Sequence, residues 1–151
     1  MRIASGEPPC RRVFLARAIA AFAAVAGGRA WPQSATRANA IPQRRFFDEA
    51  LSMKRLAESS GDQPYGAVLV LDGAVVGEGP SRVVRRNDPT AHAEREAIAD
   101  AQRRTGKALL PGSVLYSTSR PCAACERAAA EAGVETMIHG EALIDAGRPR
   151  R

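Results

Sequence analysis

Two short stretches, thirty residues apart, constrain this chain more than anything else in it. Asp88-Pro89-Thr90-Ala91-His92-Ala93-Glu94 holds one histidine and one carboxylate, and Arg120-Pro121-Cys122-Ala123-Ala124-Cys125 holds two thiols. A fold that uses them together has to bring two distant segments side by side. His92, Cys122 and Cys125 are the soft and borderline donors that Zn²⁺ prefers, and three protein ligands leave the fourth tetrahedral position open to water. Glu94, two residues after the histidine, is placed to move that water's protons without binding the metal. Taken singly, these residues have plainer readings. A histidine at a helix start or an acidic residue near a helix N-terminus is ordinary, and C-x-x-C is also the pattern of a disulfide or a thioredoxin-like redox pair. Thioredoxin-like pairs follow a first βα unit and need no H-x-E thirty residues upstream.

H-x-E followed by P-C-x-x-C is the signature of zinc-dependent base deaminases. Asn87 through Glu94 resembles the guanine deaminase and tRNA adenosine deaminase branch of the cytidine deaminase-like superfamily, and Pro64 to Val70 and Leu115 to Thr118 are similar to that family's first and third strands. The resemblance covers roughly Phe46 to Gly140. It implies a zinc site of His92, Cys122 and Cys125, with Glu94 as the catalytic proton shuttle. It also implies that Asn87 binds the substrate ring, although Asn87 before Asp88-Pro89 suits an Asx-turn equally well. Two departures stand out. Arg120 occupies a position where the family usually has Glu, and Ala123-Ala124 stand where it has Pro-Met. Neither position is a ligand, so the pocket wall or a dimer contact is what they would alter.

At 151 residues the chain has room for one core. Its net charge of +6 suggests a nucleic-acid binder until the charge is located. Residues 1–40 carry six Arg and one Glu, while residues 41–151 carry 16 basic and 15 acidic side chains, a net charge of +1. A body so balanced offers no obvious field for a polyanion.

The basic leader reads as an export signal. Cys10-Arg11-Arg12-Val13-Phe14-Leu15-Ala16 resembles the twin-arginine motif. The uncharged run Ala18 to Gly28, 11 residues long, suits a signal-peptide core and is too short to span a bilayer, which takes about 20 apolar residues. Ala38-Asn39-Ala40 supplies a small-x-small cleavage site. The expected division is therefore an export signal at 1–40 and a zinc-dependent deaminase domain at 41–151. The protein would be periplasmic or otherwise exported by the twin-arginine route, with no stable membrane association after processing. A disordered, Arg-rich N-terminus is the plainer alternative. Cys10 would leave with the leader, so the mature chain would keep the pair at 122 and 125.

Along the body, Phe46, Ala50, Met53 and Ala57 recur at three-and-four spacing and predict a helix over 43–60. The apolar run Tyr65 to Leu71 predicts a strand buried on both faces. Asp72-Gly73 signals a hairpin into a second strand at Ala74 to Glu78, which Gly79-Pro80 breaks. Ser81 to Asp88, with Arg82, Arg85 and Arg86, reads as a solvated loop. Thr90 is the expected N-cap of a helix over Ala91 to Arg104, with Gly106 its C-cap. Ser113 to Ser117 is the third strand. Pro121 fits the first turn of the next helix, which carries both cysteines and ends at Gly133. Val134 to His139 is the fourth strand, parallel to the third because a helix connects them. His139 is most simply a polar residue at a strand end.

The assembled expectation is an α/β fold: a three-layer α/β/α cytidine deaminase-like sandwich around a mixed sheet, with two helix N-termini converging on the metal. It is C-terminally shortened, the family's fifth strand and final helices being missing or nearly so. The function that follows is zinc-dependent hydrolytic deamination of a free nucleobase or nucleoside of guanine, adenine or cytosine type, releasing ammonia. The partners expected are a small purine or pyrimidine substrate, no nucleic acid, and a second copy in a homodimer. The alternatives are a tRNA adenosine deaminase, which the near-neutral body disfavours, and a non-catalytic zinc-binding or redox module on the same fold.

Overall fold

A computed structural model describes residues 33–151, with side chains from residue 43 onward. The twin-arginine motif, the apolar run 18–28 and Cys10 lie outside the described residues. The elements are α1 (Gln33–Ser59), β1 (Gly66–Leu71), β2 (Ala74–Pro80), α2 (Val83–Arg86), α3 (Ala93–Thr105), β3 (Val114–Ser117), α4 (Ala123–Glu131), β4 (Thr136–His139) and β5 (Ile144–Gly147). They form one mixed sheet in the order β2-β1-β3-β4-β5. β1 runs antiparallel to β2 and β3, β3 and β4 are parallel, and β4 and β5 are antiparallel. The α/β fold with a mixed sheet is thus as expected, and so is the parallel β3–β4 pair.

Strand alternation divides the core into two clusters. Ala67, Leu69, Leu115 and Met137 pack with Ala93, Ala97, Ala101 and Ala129 of α3 and α4. Val68, Val70, Tyr116 and Ile138 pack with Phe46 and Ala50 of α1. Successive side chains of a strand point to opposite faces, so each central strand feeds both clusters. One helix layer therefore lies on each side of the sheet.

The layers approach closely where the sequence is small. On β2, a Cβ at Gly79 would collide with the Ala93 carbonyl oxygen, and one at Gly77 with that of Ala97. Gly79 and Pro80 are therefore part of β2 rather than its break, and the missing side chain is what lets α3 settle there. Gly73, at φ +75 behind Asp72 at φ +51, supplies the left-handed pair that a tight hairpin requires.

Several boundaries differ from expectation. α1 begins at Gln33 rather than 43. A one-turn helix, α2, interrupts the predicted loop. The Asp88 carboxylate accepts the Thr90 N–H at 2.8 Å, closing a turn, and α3 starts only at Ala93. His92, not Thr90, is its N-cap. Likewise Cys122 is the N-cap of α4, and Pro121 precedes the helix rather than opening it. The fifth strand expected to be missing is present as β5, paired with β4 through Ile138–Asp145 and His139–Ile144. It is a largely exposed edge, and an exposed edge needs no apolar run to announce it. Among the described residues no helix is long and apolar enough to cross a membrane.

Candidate metal centre and active-site cavity

Each functional stretch places its first candidate ligand, His92 or Cys122, at a helix N-cap. His92 (φ −67, ψ 152) and Cys122 (φ −77, ψ 166) are extended, and neither side chain caps its own helix. Each is thereby free to turn toward the other segment. Docking α3 on β2 and running α4 between parallel β3 and β4 brings the two helix starts to the same end of the sheet.

The resulting geometry fits a tetrahedral metal. His92 Nδ1 lies 3.7 Å from Cys122 Sγ and 3.5 Å from Cys125 Sγ, and the two sulfurs are 3.6 Å apart. Zinc–sulfur bonds of about 2.3 Å and zinc–nitrogen bonds of about 2.0–2.1 Å, at tetrahedral angles, put N···S and S···S edges at about 3.6 and 3.8 Å. The three donors therefore already stand at the corners of such a site, and this His/Cys/Cys set is the metal-ligating cluster found among the described residues. Burial pushes the Cys125 thiol well above its ordinary pKa, and the neighbouring Glu94 carboxylate adds to the rise. Without metal, Cys125 holds its proton and points it at Glu94 Oε2, 3.5 Å away.

Glu94 is 5 % exposed, so its placement depends on few partners. The buried Ser117, at the end of β3, donates its hydroxyl to Glu94 Oε1 at 3.0 Å. That fixes one oxygen and leaves Oε2 facing the donor cluster. Ser117 was not legible as a site residue, since it reads as the last residue of a strand.

A cavity of ≈350 Å³ opens over His92, Glu94 and Cys122, walled by Gln63, Tyr65, Ser81, Ser119 and Arg120. One buried carboxylate organises the wall opposite the metal cluster. Asp62 accepts hydrogen bonds from Gln63 N–H (2.8 Å), Ser81 Oγ (3.0 Å) and Arg85 N–H (2.9 Å). Burial pushes its pKa up, but the hydrogen bonds from Arg85, Gln63 and Ser81 outweigh that and hold it below the usual carboxylate value.

Two of the arginines read as a solvated loop, Arg82 and Arg86, share a partner. Arg86 pairs with the buried Glu96 at 2.7 Å, and Arg82 approaches the same carboxylate at 3.5 Å, tying α2 to the first turn of α3. Asn87 is exposed, in the left-handed conformation at the end of α2 (φ 49, ψ 41), and is not among the cavity-lining residues. The Asx-type turn belongs to its neighbour Asp88. His139 lies at the end of β4, away from the metal cluster, beside a second cavity that Arg120 also borders.

Comparison with known proteins agrees with this geometry. Residues 41–141 match the model of the cytidine and deoxycytidylate deaminase zinc-binding region. A tRNA-specific adenosine deaminase of Agrobacterium fabrum is 40% identical over 95 residues, 63% of this chain and 62% of that protein. The guanine deaminase of Bacillus subtilis is 47% identical over 62 residues, and its crystal structure superposes with a TM-score of 0.61 at 35% identity, covering 64% of this chain and 62% of that one. A structure from work on tRNA:A34 deaminases gives a TM-score of 0.62 at 39% identity, covering 64% and 70%. The chain thus spans less than two thirds of the length of the first curated relatives it matches.

Proposed function

The chain belongs to the cytidine and deoxycytidylate deaminase zinc-binding family, and from that premise we propose that it hydrolytically deaminates a nucleobase or nucleoside of guanine, adenine or cytosine type, releasing ammonia. The observation that carries this reading is the coincidence of a preformed His92/Cys122/Cys125 cluster with a buried carboxylate, Glu94, aimed at it from 3.5 Å.

When bound by this cluster, zinc would make hydroxide available at neutral pH, by lowering the pKa of its water to about 7. His92, Cys122 and Cys125 would hold the metal, and His92 and Cys122 also line the cavity together with Glu94. Glu94 Oε2 takes the water's proton and passes it to the ring nitrogen beside the amino-bearing carbon. That protonation makes the carbon electrophilic toward the oxygen of the deprotonated water. Glu94 then carries the remaining proton of that oxygen to the amino nitrogen, which leaves as ammonia while the carbonyl forms. A carboxylate shielded from bulk water yet facing the reacting atoms suits this two-way transfer. Ser117 keeps Oε1 occupied throughout, so the proton is handled at Oε2.

The tRNA adenosine deaminase reading has one observation in its favour, the 40% identity to the Agrobacterium protein of that name. Against it stands the net charge of +1 over residues 41–151, since RNA binding leans on clustered basic surface. A panel of guanine, adenine, cytosine and their nucleosides, together with a tRNA anticodon stem-loop, tests the proposal by ammonia release. Zinc-loaded protein is expected to act on at least one small substrate, and Glu94→Gln to keep zinc while losing about 10²–10⁴-fold in turnover. No ammonia from any member of the panel, or a Glu94→Gln variant with undiminished turnover, would overturn it.

A further inference from the structure

Among the polar side chains that line the cavity over the metal cluster, Gln63, Tyr65 and Arg120 are exposed, whereas Glu94 and Ser81 are buried. Exposed side chains change rotamer readily, so the buried pair sets what the cavity accepts. Glu94 serves the reacting amino group and its neighbouring ring nitrogen. Ser81, 2 % exposed, has no part in that chemistry.

Ser81 follows β2 directly and is held from several sides. Its N–H donates to the Tyr65 carbonyl at 3.0 Å, and the N–H of Arg82 donates to the Ala91 carbonyl at 3.0 Å, one residue before His92. Its hydroxyl donates to Asp62 Oδ1 at 3.0 Å. The carboxylate decides the direction of that last bond. Asp62 also accepts the backbone N–H of Gln63 on Oδ1 and that of Arg85 on Oδ2, and neither donor can reverse. Burial works against its charge, but these bonds and the one from Ser81 hold its pKa below the ordinary value, so at neutral pH it is ionised and only accepts. The Ser81 hydroxyl therefore has no proton left for the cavity. What it can present there is a lone pair.

We infer that Ser81 determines specificity at this site: it accepts a hydrogen bond from a ring N–H of the bound heterocycle, and Asp62 is the positioning residue that makes it an acceptor. This role rests on the deaminase reading for the reacting amino group and adds a second contact on the same ring. It selects heterocycles that carry a ring N–H besides the amino group, and disfavours the same rings once that nitrogen is substituted. A ring that turns a lone pair toward Ser81 sets two acceptors against each other, and both have lost their water. A ring N–H is favoured over a sugar hydroxyl as the donor because Ser81 shares the buried part of the cavity lining with Ala93 and Glu94.

The test uses the full chain loaded with zinc and carrying Glu94→Gln, so that ligands are not consumed during titration. Calorimetry compares guanine, adenine and cytosine with their derivatives methylated at each ring N–H. At least one methylation is expected to weaken binding about tenfold. Ser81→Ala, with zinc content and circular dichroism unchanged, is expected to weaken the parent base by a similar factor and to bring that ratio close to one. Ser81→Thr, which keeps the hydroxyl, should retain the ratio. Asp62→Ala, which frees the hydroxyl proton, should lower the ratio with Ser81 still in place, a change that a purely structural carboxylate would not cause. No base sensitive to methylation, a ratio that survives Ser81→Ala, or equal losses in the Ala and Thr variants overturns the role of Ser81. A ratio unchanged in Asp62→Ala overturns the role of Asp62. Ammonia release, measured with Glu94 in place, is an independent readout. Release without any preference for a ring N–H would leave the deaminase reading intact and remove the Ser81 contact. Ser81-dependent binding without ammonia would keep the contact and remove the deaminase reading.

Discussion

At the scale of single residues, two buried side chains outside the zinc motif do the positioning. Ser117 meets Glu94 through one hydrogen bond inside the sheet. A hydrogen bond to a charged group contributes about 1.5–3 kcal/mol, so Ser117→Ala should lower turnover by about tenfold or more, and Ser117→Thr, which keeps the hydroxyl, should restore most of it. Zinc content should stay at wild-type stoichiometry. Equal losses in the two variants would show that Ser117 does not act through the carboxylate. Asp62, with three donors on its carboxylate, holds the opposite wall. Asp62→Ala should cost about 1–3 kcal/mol in denaturant unfolding. The sign of its pH dependence follows from its lowered pKa. The stability it contributes is complete above the unfolded carboxylate value of about 3.9 and is lost as pH falls through the lower folded value. Asp62→Asn should flatten the loss of stability below about pH 4.

At the scale of elements, the placement of α3 on β2 decides whether His92 and Glu94 reach the cysteines. Gly79 faces the Ala93 carbonyl, one residue from each of these two side chains. Gly79→Ala should push the start of α3 outward, costing about 1–3 kcal/mol as overpacking does and weakening zinc retention. Gly61→Ala is the control: a Cβ there meets nothing, so only the strain of its positive φ should appear, in thermal unfolding and not in zinc content. Equal zinc loss in both variants would refute the link between helix docking and the metal cluster. The Arg86–Glu96 pair, half exposed on the arginine side, secures α2 to the same helix.

At the scale of the whole molecule, a metal held by His92, Cys122 and Cys125 would join two segments that the chain keeps apart, the starts of α3 and α4, while the Ser117–Glu94 hydrogen bond ties the end of β3 to the same place. One zinc per chain is expected by elemental analysis, with chelation lowering the unfolding temperature, since binding energy at such a site is also folding energy. Burial, and then the Glu94 charge, hold the Cys125 proton in the metal-free protein. Zinc uptake should therefore release protons and tighten as pH rises, which titrations in buffers of different ionisation enthalpy would detect. Zinc affinity independent of pH from 6 to 8 would argue against thiolate ligation.

The sequence by itself determined the ligand set, the alternating strands and the helical faces, because these depend on residue type and on periods of 2 and 3.6 that any short window contains. The joint spacing of H-x-E and P-C-x-x-C did the same for the metal cluster. Tertiary structure alone decided that Thr90 yields the cap to His92, since Asp88 closes a turn whose energetics depend on where the chain goes next. It also decided that Gly79 belongs inside a strand, where a helix carbonyl occupies the space of its missing Cβ. β5 escaped notice because an exposed edge strand carries no hydrophobic pattern. Ser117 and Asp62 were invisible for a related reason: their roles arise from partners 23 and 19 residues away. Such partners meet only once the sheet order is set, and no local period records that order.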